Sequence, residues 1–179
     1  MKILRKGIEG LFVVEADPYS DNRGLFLRSF CRNALAEVGV SFEVVQGNVS
    51  YNHKEHTLRG FHYQKAPFSE SKILTCLSGS IFNVVADLRP NSKTFLKHEV
   101  IEMSASSMES LLVPEGCANA FLTMEDQTLV HYYMSDFFKP ERYAGFRYND
   151  PTFDVKWPFT PQVISERDAN LDFWVNSCV

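Results

Sequence analysis

Two strand-like runs, residues 72–77 (KILTCL) and 81–88 (IFNVVADL), are separated only by Ser78-Gly79-Ser80. A connector that short, with glycine at its centre, joins antiparallel neighbours as a hairpin. The same grammar recurs along the chain. Residues 11–16 (LFVVEA) and 25–30 flank the polar turn Ser20-Asp21-Asn22-Arg23-Gly24, and 97–103, 110–113, 118–124 and 128–134 alternate with turns at Pro114-Glu115-Gly116 and Glu125-Asp126-Gln127. About eight short strands at this spacing predict an all-β jelly-roll or barrel. A short helix is expected at residues 32–38, with Gly39 as its C-terminal cap. The aromatic and proline-rich segment 136–161 reads as an ordered, packed excursion rather than a linker.

With 179 residues, 45% of them hydrophobic, the chain suits one domain over residues 1–179 with a real core. Its net charge of -4 lacks the basic excess of a general nucleic-acid or anionic-membrane binder. Any anionic ligand must therefore meet a local basic cluster. The start, MKILRKGIEGLFVVEAD, has no unbroken apolar run of the kind a signal peptide or membrane span needs, so a cytoplasmic protein is expected. Cys31, Cys76, Cys117 and Cys178 are dispersed without CxxC spacing and read as reduced structural thiols.

One block is too polar for an ordinary core strand: residues 57–64, TLRGFHYQ. In an extended strand Phe61 and Tyr63 share one face, while Gly60, His62 and Gln64 share the other. Arg59 belongs to the face opposite His62 unless Gly60 permits a bulge. We expect that bulge, with both side chains reaching one cavity. Gln46, Asn48 and Ser50 alternate with Val45, Gly47 and Val49 and give a neighbouring strand one polar face, suited to a ligand-holding lumen. Lys72, Leu74 and Cys76 share a face; so do Val130, Tyr132 and Met134, and periodicity leaves open whether that set or His131 and Tyr133 looks inward.

The histidines argue against a metal. His62 is followed two residues later by Gln64 rather than by a second imidazole, and His53, His56, His98 and His131 supply no three-ligand set. Neither GxGxxG nor GxxxxGK[ST] occurs. With no cofactor expected, chemistry falls to side chains, and proton transfer is the natural candidate: an imidazole base, a lysine beside a developing oxyanion, a tyrosine as proton donor. Taken singly, each residue has a blander reading as core or surface.

Together they sit in a chain that resembles the dTDP-4-dehydrorhamnose 3,5-epimerase family of cupin-fold enzymes. The matching residues include Asp21-Asn22-Arg23-Gly24-Leu25-Phe26, Gln46 with Asn48 and Ser50, Leu58-Arg59-Gly60-Phe61-His62-Tyr63-Gln64, Lys72-Ile73 and Asp87-Leu88-Arg89. Val113-Pro114-Glu115-Gly116, Tyr132, Asn149-Asp150-Pro151, Lys156-Trp157-Pro158 and Ser165-Glu166-Arg167-Asp168 follow in order. The resemblance implies a cupin-type jelly-roll, a homodimer paired through N-terminal strands (residues 11–14 offer one), and a nucleotide-diphosphate sugar as substrate. It implies epimerisation at C3 and/or C5 beside a 4-keto group, with His62 as base, Asp168 as its carboxylate partner, Lys72 as enolate stabiliser and Tyr132 as acid on the opposite face. Arg23, Phe26, Arg28, Gln46, Asn48, Arg59, Asn119, Tyr143 and Arg167 fall at substrate-contacting positions.

Three of those positions depart from the family pattern. Asn119 stands where the family usually has histidine, and Arg28 and Tyr143 stand where it has glutamate, so charge at the ligand is altered while the acid-base set is intact. A ketoisomerase on the same scaffold and a noncatalytic sugar-nucleotide binder are the alternative readings.

Overall fold

The computed structural model describes residues 1–175; Cys178 lies outside them. The strands are β1 (Lys2–Arg5), β2 (Phe12–Glu15), β3 (Tyr19–Asp21), β4 (Gly24–Phe26), β5 (Gln46–Asn52), β6 (Leu58–Gln64), β7 (Lys72–Ser78), β8 (Ser80–Asp87), β9 (His98–Ser104), β10 (Glu109–Val113), β11 (Cys117–Thr123), β12 (Thr128–Met134) and β13 (Tyr143–Gly145). Two short helices complete the set, α1 (Arg32–Glu37) and α2 (Glu166–Ala169). A six-stranded sheet (β1-β2-β10-β7-β12-β5) faces a five-stranded one (β13-β6-β11-β8-β9), and β3 and β4 form a separate arm. Every pairing between these strands is antiparallel. The fold is the expected all-β jelly-roll.

Alternation along the strands builds three apolar layers. Between the sheets lie Val13, Leu74, Cys76, Ile81, Val85, Leu111 and Val130. The intervening residues Phe12, Ile73 and Leu112 point to the outside of the six-stranded sheet, where Leu35 of α1 and Phe42 cover them. Phe61, Tyr63, Phe82, Val84 and Ala120 cover the outer face of the five-stranded sheet and meet Phe146, Phe153, Trp157 and Trp174. The aromatic excursion is thus the lid of a second core. Helix α1 ends as expected, with Gly39 at φ +84° donating its N–H to Ala36 O. Strands β1, β3 and β13 were not anticipated, because each is too short to show a period, and the strand read over 25–30 stops at Phe26.

Residues 11–14 offered a strand for pairing between copies, but β2 lies between β1 and β10 with both edges used, so the edge strand on that side of the sheet is β1. Cys76 and Cys117 are buried free thiols and Cys31 is half-buried and free. Burial pushes the Cys76 thiol up to about 11 and Cys117 up to about 12, which leaves both inert as nucleophiles. Among the described residues, no helix is long and apolar enough to cross a membrane.

Candidate active site

The TLRGFHYQ block folds with a register shift against β11. His62 pairs with Asn119 and Arg59 with Phe121, so Gly60 and Phe61 oppose the single residue Ala120. Two residues against one is a bulge. It resets the alternation, sends Phe61 into the outer core, and turns both Arg59 and His62 toward one cavity. Only glycine fits at position 60: φ is +114°, and a Cβ there would stand 2.5 Å from Asn119 O and 2.6 Å from Ala120 Cα.

His62 is anchored from behind. Its Nε2 lies 2.7 Å from Asp168 Oδ1, and the Gly60 N–H donates to Asp168 Oδ2 at 3.4 Å. Asp168 is held in turn by the cap of α2, where Ser165 Oγ accepts from its backbone N–H at 3.0 Å. Burial alone would raise the Asp168 pKa; the hydrogen bond and charge of His62 outweigh it and hold the carboxyl below its ordinary range. A carboxylate on Nε2 fixes the ring's orientation and tautomer and leaves Nδ1 for a ligand.

The other wall comes from the six-stranded sheet. Lys72 on β7 is buried, with Nζ 2.9 Å from Glu70 Oε1 and 3.4 Å from His62 O. An ammonium has three N–H donors, so one is left for the cavity. Tyr132 on β12 takes the inward phase with Val130 and Met134, the question that periodicity had left open. Burial raises the Tyr132 pKa, partly offset by Arg59, so the phenol keeps its proton at neutral pH.

The cavity measures about 350 Å³. Gln46, Asn48 and Ser50 of β5 line it, as their polar alternation predicted, together with Asn119 and Tyr143. Arg59 is braced by Asn52, whose Oδ1 accepts from Nε at 2.7 Å. With its amide turned to donate, Asn83 lies 3.1 Å from Asn119 Oδ1, so a neutral amide pair stands beside His62 on the five-stranded sheet, where Asn119 is its cross-strand neighbour. The Tyr143 ring sits 5.1 Å from that of His62, and the Arg167 guanidinium lies over the Tyr143 ring, 4.3 Å from its centroid.

Four residues that the resemblance placed at the substrate do not line this cavity. Arg167 is engaged over the ring of Tyr143. Arg23 and Phe26 are exposed on the β3–β4 arm, where Arg23 pairs with Asp21 at 2.5 Å, and Arg28 follows that arm with Nη1 3.7 Å from Cys31 Sγ. Among the described residues β3 and β4 pair only with each other, and Arg23, Phe26 and Arg28 stay away from this cavity. Sequence reasoning missed Glu70 and Phe138, which line the cavity from loops without periodicity, and Gln64, whose phase with His62 was a usable signal. Among the described residues no three His, Cys, Asp or Glu side chains cluster at metal-binding spacing.

The family model described as dTDP-4-dehydrorhamnose 3,5-epimerase matches residues 5–175. The chain belongs to that family. It is 33% identical over 173 residues to the Escherichia coli dTDP-4-dehydrorhamnose 3,5-epimerase, covering 96% of this chain and 93% of the relative. The Bacillus anthracis dTDP-4-dehydrorhamnose 3,5-epimerase, crystallised with TDP and PPi, superposes with a TM-score of 0.93 at 32% identity, covering 97% of this chain and 99% of that one. ChmJ, a 3'-monoepimerase from Streptomyces bikiniensis in complex with dTDP-quinovose, matches with a TM-score of 0.88 at 30% identity, covering 95% and 86%. Of the three departures from the family pattern, Asn119 and Tyr143 lie in the cavity of this epimerase-family chain and Arg28 does not.

Proposed function

We propose that this chain inverts C3 and/or C5 beside the 4-keto group of a nucleotide-linked 6-deoxyhexose, by removing a proton with His62 and returning one from Tyr132. The observation that carries this reading is the placement of the two groups: His62 stands on the five-stranded sheet and Tyr132 on the facing six-stranded sheet, with one cavity between them. Inversion needs a base on one face of the ring and an acid on the other. Lys72, with one donor unengaged, supports the enolate oxygen that forms between the two steps. A hydrogen beside a ketone is acidic enough for this chemistry to run on side chains alone.

Heavy water tests it. With a 4-keto-6-deoxyhexose nucleotide, deuterium should appear at the carbon or carbons beside the ketone, and His62→Asn should abolish both exchange and inversion. Exchange at an undiminished rate in His62→Asn would remove the base assignment; binding without any exchange would favour the noncatalytic binder, and exchange that yields a moved carbonyl instead of an inverted centre would favour the ketoisomerase.

The nucleotide is proposed to be dTDP, on the strength of the TDP and dTDP-quinovose named with two relatives. A binding series of dTDP, CDP, GDP and UDP checks this; equal or tighter binding of another base would sink it. We further propose a cytoplasmic homodimer. Arg23, Phe26 and Arg28 then serve a second copy's cavity, since their exposed arm does not serve its own.

A further inference from the structure

The cavity wall holds a charge that the proton transfers do not use. Glu70 lies two residues before Lys72, just ahead of β7, with a side chain only 2% exposed. Its Oε1 meets Lys72 Nζ at 2.9 Å, but its Oε2 is buried without a hydrogen-bond partner. A buried carboxylate oxygen lacking a donor is costly, and most such groups in folded proteins are satisfied. Glu70 lines the same cavity as His62, Lys72 and Tyr132. The donor is therefore to be sought in what the cavity binds.

We infer that Glu70 determines specificity by accepting, through Oε2, a hydrogen bond from the hydroxyl on C3, the carbon next to the substrate ketone. The inference rests on the epimerase reading above. Lys72 directs its unengaged N–H at the ketone oxygen, and Glu70 shares that ammonium, so a group meeting its other oxygen must be attached close to the ketone carbon. In a 4-keto-6-deoxyhexose, C5 carries the methyl group and ring oxygen, and C3 carries a hydroxyl. That hydroxyl is the donor within reach. The terminal torsion of a glutamate is broad, so Oε2 turns toward the ligand while Oε1 keeps Lys72. A site built to hold a hydroxyl rejects an analogue that cannot donate, because its own polar atom is left unpaired.

The test compares two ligands of nearly equal size, a nucleotide-linked 6-deoxyhexose and its 3-deoxy-3-fluoro analogue, both with the C4 ketone reduced so that neither turns over. Fluorine fills the place of the hydroxyl but donates nothing. Wild type should bind the hydroxyl ligand about 10- to 100-fold more tightly, the scale of a hydrogen bond to a charged group. Glu70→Gln keeps an oxygen toward Lys72, since an amide N–H there would oppose donor to donor, and puts an NH2 where Oε2 stood; its preference should shrink to about threefold or less. A wild-type ratio near one overturns the inference with no variant needed, and so does an unchanged ratio in Glu70→Gln. If wild type still washes deuterium into its substrate in those cases, only the role of Glu70 has failed. If wild type binds neither ligand and exchanges nothing, the epimerase reading has failed and takes this inference with it.

Discussion

A phenol can act as an acid only while it holds its proton, and burial gives Tyr132 that property by raising its pKa. Tyr132→Phe should therefore lose most inversion yet keep measurable deuterium exchange, because His62 can still remove a proton and return deuterium to the same face. Mass spectrometry of recovered substrate, set beside product analysis, reads the two separately; inversion at the wild-type rate would displace Tyr132 as the acid. Lys72→Met should depress exchange and inversion alike, by about 3 to 4 kcal/mol in activation free energy, the usual cost of removing an oxyanion donor. His62 and Lys72 could be named from their strand phases and the resemblance, Tyr132 from the resemblance alone. Glu70 could not, since a carboxylate in a loop carries no phase and shows its place only once Lys72 is folded against it.

Elements set how accurately these side chains converge. The bulge in β6 brings Arg59 and His62 to one side, and the end of β8 is tied to the loop that leads to β9. There Asp87, fully buried, accepts from Arg89 Nε and Nη2 at 2.8 Å, Ser92 Oγ at 2.6 Å and Thr94 Oγ1 at 2.7 Å. Burial would raise the Asp87 pKa, but these donors outweigh it and lower it from 3.8 to about 2. A carboxylate with a depressed folded pKa contributes stability that is present above its unfolded value, near 4, and is lost as pH falls toward about 2. Asp87→Asn should thus cost roughly 2 kcal/mol or more at pH 7. Denaturant unfolding at neutral pH and again at about pH 2.5 should show the gap from wild type narrowing; a gap independent of pH would assign the loss to packing instead.

At the scale of the whole molecule, the site as one chain presents it lacks the arm residues. Phe26 and Tyr19 stand 76% and 65% exposed on that arm, an unusual amount of aromatic surface to leave in water. If the arm serves a second copy, light scattering should return twice the chain mass at micromolar concentration. Mixing inactive Arg23→Ala with inactive His62→Asn should then restore activity, because mixed pairs contain one site with an intact base and an intact arm. A monomeric mass, or mixtures that stay inactive after subunit exchange, would leave the arm without this role.

The antiparallel β class, the inward polar face of β5 and the cap of α1 were readable in the sequence, because each depends on local alternation or turn chemistry, and the resemblance named His62, Lys72 and Tyr132, which line one cavity. The folded chain alone decided the rest. Which face of β12 looks inward, how the β6 bulge turns Arg59 and His62 together, and why Asp168, 106 residues from His62 along the chain, ends 2.7 Å from its Nε2 all depend on contacts between distant segments, to which a strand's own period is blind. Arg23, Phe26, Arg28 and Arg167 carry the same limit: a motif can say that a side chain meets a ligand, but only the path of the backbone says whose cavity it can reach.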